Sequence, residues 1–375
     1  MALKQTNSEP AGNDKKTALH KQRKVSLFFH RAYYSREFGI DYGRRYHEDP
    51  LYRLEQEQKC SRALHGRFGE YGMGDPDPKI SSFSIGVQPL DFLNAALGGK
   101  MCHSASESVW TPEKPLSHIE TMEDLKKTPD IDWKNNPLYL DIWRQADIIG
   151  KIYPSLPVSS VQGVGKNADG CGFTMHTPCT TAFRLLGDRI FEIMMLEEEL
   201  ADGVFDYLER QYENLWYEIV KHLGWDAEEK ARIHLGDCAA TMLSPALYEK
   251  YCVPRYLKLM RRYKRCAVHS CGPSTHLLKL FTEIPGIERI DLGAKTELQG
   301  VRELFPGVLI LAYYSAPEML GVRPAEIEKK IWTMAETLED NFIINGSSFD
   351  PETPIENIMA YLNTARAINE QRGLL

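Results

Sequence analysis

The 375-residue sequence has no run of about 18 apolar residues, which excludes a membrane-spanning helix of ordinary length. Its first stretch, MALKQTNSEPAGNDKK, has no apolar core, so no secretory signal is expected. Long basic runs are missing too. The formal net charge is −7 and the sequence pI about 5.9, a balance that argues against nucleic acid as the main partner. The eight cysteines include no CxxC pair. In a chain this large, that spacing fits reduced thiols in the cytoplasm and not a disulfide framework. No GxGxxG turn follows an early strand, and the run QGVGKNADGCG lacks the Gly-Lys-Ser/Thr of a phosphate loop. That run reads instead as a glycine-permitted active-site loop.

What is present is enough apolar residue, 43% of the chain, to bury a large core. Residues 1–22 are polar and charged and are expected to form a mobile tail. Residues 23–375 are expected to form one unit, with a surface excursion near 104–140 that is rich in Pro, Glu and Asp. Short apolar runs at 25–29, 81–87, 233–235, 266–268, 289–292, 308–311 and 342–345 predict strands. Helical periodicity marks 50–66, 122–127, 188–195, 198–222, 245–263, 275–284, 297–304, 324–340 and 354–366. Ser244 and Pro245 have the residue types of an N-cap and first helical position. Strand and helix alternate through the whole second half. This predicts an α/β fold, a single (β/α)8 barrel of the TIM type, with a doubly wound open sheet as the alternative.

The stretch 265–274, RCAVHSCGPS, is the centre of the reading. His269 and Cys271 are two apart at a strand end, so they project to the same side if the strand persists. An imidazole beside a thiol suggests two metal ligands or a Cys/His nucleophile pair, and equally a core cysteine beside a capping histidine. Near the N-terminus, Arg31 and Arg36 follow the first strand closely enough to hold a substrate carboxylate, or to lie over apolar surface.

Taken together, several motifs resemble the uroporphyrinogen decarboxylase superfamily, a barrel family that also contains corrinoid-dependent methyltransferases. The family's helix opening is matched by Thr177-Pro178-Cys179-Thr180-Thr181-Ala182 and runs on to Gly187. Its acidic residue followed by S-P-x-L-Y and P-x-Y appears as Asp237, Ser244-Pro245-Ala246-Leu247-Tyr248 and Pro254-Arg255-Tyr256. His269-Ser270-Cys271-Gly272 is similar to the H-x-C-G of the methyltransferase branch, and Gly346 to Asn357 to the family's closing motif.

The resemblance implies a zinc site in which His269 and Cys271 are ligands together with the Cys of the closing motif. Here that position is Ser347. A neutral serine is a poor replacement for a thiolate, so the third donor is expected to be Asp237, with Glu249 second. Asp237 and Cys271 are the expected catalytic residues; Arg31, Arg36 and Tyr313 are expected to bind substrate. His269, Cys271, Asp237 and Tyr313 are expected around one barrel mouth. The resemblance further implies a methyltransferase acting on a small-molecule substrate, with the corrinoid carried by a separate partner protein, since no D-x-H-x-x-G module is visible. A metal-free carboxy-lyase of the decarboxylase type is the alternative, with Asp291 as another candidate acid, and a non-catalytic binding barrel is the third reading. Homo-oligomerisation is left open.

Overall fold

The strands form where β-branched and aliphatic residues cluster, and a computed structural model places them in one ten-stranded sheet. It describes residues 24–167, 170–226 and 230–373; the expected N-terminal tail lies outside the described residues. In chain order the strands are β1 (Val25–Phe29), β2 (Phe83–Ile85), β3 (Val158–Val161), β4 (Val164–Asn167), β5 (Gly170–His176), β6 (Lys230–Gly236), β7 (Arg265–Ser270), β8 (Ile287–Leu292), β9 (Leu309–Tyr314) and β10 (Phe342–Phe349). Their lateral order is β1-β10-β9-β8-β7-β6-β5-β4-β3-β2. Every neighbouring pair is parallel except the two that involve β4. The two ends of that order, β1 and β2, are consecutive in sequence, as in a TIM-type barrel. No ladder joins β1 to β2 among the described residues.

Helices follow the strands and bury their apolar stripes against the outer face of the sheet. The longest, Glu198–His222, buries Leu200, Val204, Leu208, Leu215 and Ile219 at helical spacing. The expected helix over 245–263 is two helices, Pro245–Tyr251 and Val253–Met260, because Pro254 cannot donate the hydrogen bond that would continue the first. Ser244 does cap the first of them, accepting from the Leu247 amide at 3.3 Å. One apolar cluster runs from Val25 to Ile368.

The excursion over 104–140 is anchored to the core: Leu116, Ile119 and Trp133 are buried, and the Trp133 indole donates to the Gln211 carbonyl of the long helix. One expectation is corrected: the run QGVGKNADGCG, expected as a loop, carries β4 and the start of β5, with β3 and β4 joined by Gln162-Gly163. Both turn residues have positive φ, 45° and 78°, as a two-residue hairpin requires. Gln162 tolerates that conformation because its buried side chain holds both the N–H and the C=O of Val87, at 3.1 and 2.9 Å.

Candidate metal centre

Alternation along the strands decides which side chains meet in the barrel interior. In β6, Ala231, Ile233 and Leu235 are buried, while Arg232 and His234 are partly open. His234 packs toward the interior, 3.2 Å from Arg289 of β8 and 6.3 Å between ring centres from His269 of β7. Continuing the same alternation past Gly236 turns Asp237 outward and Cys238 inward.

Asp237 is fully buried among the helices. Its carboxylate accepts from the hydroxyls of Thr177 (2.6 Å), Tyr256 (2.6 Å) and Tyr248 (2.9 Å). Those three residues belong to the helix-opening and S-P-x-L-Y…P-x-Y motifs, so the motifs build a cage around one carboxylate. Burial pushes its pKa up, against the three donated hydrogen bonds. The Asp237 amide also donates to the His269 carbonyl at 2.7 Å, tying the ends of β6 and β7 together.

Cys238, His269 and Cys271 form one group, with a donor atom of each within 4.8 Å of the others. Asp237, expected as the third donor, is turned away from this group, and the side chain that stands beside His269 and Cys271 is Cys238. The family position on β10 carries Ser347, whose hydroxyl meets that of Ser348 at 3.4 Å. Behind His269, Nδ1 lies 3.7 Å from the Asp291 carboxylate, which Arg289 holds at 2.7 Å. Asp291 is thus a positioning partner of the imidazole, a role visible in its i+2 spacing from Arg289 on the inward face of β8. Gly293 lets this layer close: a Cβ there would stand 2.2 Å from the Cys271 carbonyl.

The group is electrostatically coupled. The Cys238 thiol donates to Cys271, and with the His269 imidazolium it holds the Cys271 thiol down to about 4. The same bond pushes the Cys238 thiol upward. Burial opposes a charged His269, but Asp291 and Cys271 outweigh it and raise the imidazole to about 9. Two neighbouring histidines go the other way. Burial pulls both His176 and His234 down to about 4, with His269 adding to the first and Arg289 to the second. In metal-free protein, Cys271 should therefore remain a thiolate as pH falls to about 4. Iodoacetamide at pH 6 should alkylate Cys271 ahead of the other seven cysteines, of which Cys60, Cys238, Cys252 and Cys266 are pushed the opposite way by burial or a neighbouring thiol; equal labelling by peptide mapping would refute the pairing.

The family model described as Uroporphyrinogen decarboxylase (URO-D) matches residues 194–368, the stretch that carries β6 to β10 and all three members of the group. Over that stretch the chain is similar to the uroporphyrinogen decarboxylase family. Among solved structures, a methyltransferase from Methanosarcina mazei superposes with a TM-score of 0.56 at 15% identity, covering 92% of each chain. No curated protein sequence matches.

The remaining expected site residues separate. Tyr313 stands at the centre, its ring edge-on to His269 at 5.8 Å. Burial raises its hydroxyl to about 12, with Asp291 adding to the shift, so Tyr313 is a proton donor at neutral pH. Arg36 is turned away: it is half-exposed and bound to Glu352 at 2.7 Å and to Glu37 at 3.2 Å. Arg36→Ala should change stability by less than about 1 kcal/mol and leave ligand binding intact, which titration calorimetry can check. Arg31 instead lines a cavity at the mouth.

Proposed function

We propose that this protein is a methyltransferase of the corrinoid-dependent type whose zinc is held by Cys238, His269 and Cys271. The observation that carries the reading is that Cys238 supplies the thiol that Ser347 lacks. Two thiols and an imidazole suit zinc, and three protein donors with a fourth position open is the catalytic form of such a site. A carboxylate behind the ligating histidine, here Asp291, fits the same assignment. Bound there, zinc would supply Lewis acidity, holding an acceptor thiol as its thiolate or polarising a leaving oxygen.

The chain's own residues set the conditions for that transfer. Asp291 fixes the imidazole orientation of His269, and Arg289 holds Asp291 in place. His176 and His234, held neutral by burial, can offer hydrogen bonds to an incoming acceptor without adding charge to the site. Tyr313, held protonated, can donate a hydrogen bond. The methyl group passes to or from a corrinoid on a separate protein, which must dock at the strand ends where Cys271 is exposed. The carboxy-lyase alternative is less favoured, because Asp237 is sealed behind Tyr248 and Tyr256 and Arg36 is engaged elsewhere.

The test uses zinc-loaded protein, free methylcobalamin and a panel of small thiols. Expected is conversion of methylcobalamin to cob(I)alamin with stoichiometric thioether, lost in Cys271→Ser. The reverse direction, cob(I)alamin with methoxylated compounds, is the second arm. Absence of turnover in both, with zinc bound, would reject the reading.

A further inference from the structure

The eight cysteines include two pairs whose thiols are in hydrogen-bond contact, and the two pairs differ in access. Cys179 and Cys252 meet behind the Asp237 cage, 2% and 5% exposed, against Thr177 and Tyr256. Cys238 and Cys271 meet at the strand ends, where Cys238 is half-buried and Cys271 is exposed. The backbone brings this second pair together. Gly236 of β6 and His269 of β7 are ladder partners, and the Asp237 amide extends the ladder by one bond to the His269 carbonyl. Cys238 and Cys271 each lie two residues beyond that pair. Neighbouring strands run roughly 4.8 Å apart, inside the roughly 4.4–6.8 Å between Cα atoms that a disulfide spans. A bond between the two sulfurs therefore needs rotation of the side chains and leaves the ladder intact.

Holding a metal is one use of such a pair, and thiol–disulfide exchange is another with its own demands. Exchange needs one sulfur open to attack from outside and a second sulfur within reach of the first. Cys271 meets the first condition and Cys238 the second. His269 completes the group, with a ring nitrogen within 4.8 Å of both sulfurs, so the Cys271 thiol has a base beside it. Cys179 and Cys252 touch each other but are both sealed from solvent, which withholds the first condition.

We propose that Cys271 is a site of reversible modification by small-molecule disulfides, with Cys238 as the resolving thiol. Cys271 Sγ gives its proton to His269 and attacks one sulfur of the small disulfide; that S–S bond breaks and one thiolate leaves. Cys238 Sγ then attacks Cys271 Sγ, the mixed disulfide breaks, and the second small thiol leaves with the Cys238 proton. The protein pair loses two electrons and becomes a Cys238–Cys271 disulfide, while the small disulfide is reduced to two thiols. The oxidised pair has no thiolate to offer a metal, so two of the three donors of the proposed zinc centre are withdrawn together. That consequence rests on the zinc assignment; the disulfide itself does not.

The experiment treats the reduced, metal-free full chain with glutathione disulfide at neutral pH and follows intact mass and peptide maps. Expected is loss of the mass of two hydrogens, a cross-linked peptide joining Cys238 to Cys271, and full reversal by dithiothreitol. In Cys238→Ser a glutathione adduct should accumulate on Cys271, because the resolving sulfur is gone. In Cys271→Ser the remaining thiols should react at least about tenfold more slowly, since access sets the rate. A lasting adduct on wild-type Cys271, a Cys179–Cys252 cross-link formed first, or eight unreacted thiols would overturn the proposal. A parallel arm with zinc added reads the metal assignment separately: protection of both thiols supports it, and an unchanged rate of cross-linking speaks against zinc and for the exchange pair alone.

Discussion

Cys238→Ser should strip the protein of zinc. Wild type purified without chelators is expected to hold about one equivalent, bound by two thiols and an imidazole. Removing one thiolate leaves Cys271 and His269, too few for a stable site, so affinity should fall by more than roughly 100-fold. That exceeds the roughly 10–100-fold expected when only a supporting partner is lost, as in Asp291→Asn. Ser347→Ala should leave the zinc content unchanged. Metal analysis after dialysis against a zinc buffer reads all three. Full zinc in Cys238→Ser, or none in wild type after zinc is supplied, would remove the centre.

Asp237→Ala should be the most destabilising single change near the site. The substitution leaves three buried hydroxyls, those of Thr177, Tyr248 and Tyr256, without their common acceptor. A loss of about 3–5 kcal/mol is expected, because each stranded group forfeits its hydrogen bond and its hydration. Asp237→Asn keeps one oxygen and should lose less. Denaturant midpoints for the two variants give the comparison; an unperturbed Asp237→Ala would show that the cage is not what holds the strand end.

The sequence made most of this architecture legible, and the places where it did not are instructive. Residues 198–222 were readable as a helix because a long apolar stripe recurs at helical spacing, and the structure ends that helix at the same residues. The hairpin over 158–167 was unreadable as strands because its segments are four residues long and its turn is Gln-Gly, where Asn-Gly would have been the usual signal. His269 and Cys271 were found because their i+2 spacing survives the strand end. Asp237 was misassigned for the same physical reason. Ile233 and Leu235 already faced the helices, so parity put Asp237 with them and Cys238 with His234. Charge type drew attention to the carboxylate, whereas strand parity identified the thiol.

The position of Cys238 also bears on how the site is assembled. A donor at Ser347 would have to arrive from β10, which lies three strands away from β7. Cys238 comes from β6, the strand that pairs directly with β7. The loop closed between the first and last donors is then roughly thirty residues long, and closing it costs less chain entropy than reaching β10 would. Zinc could therefore be captured once β6 and β7 have paired, before the remainder of the sheet is complete. Metal added during refolding should speed the formation of that pair, and the ion would serve as a nucleating clamp as well as a centre of chemistry.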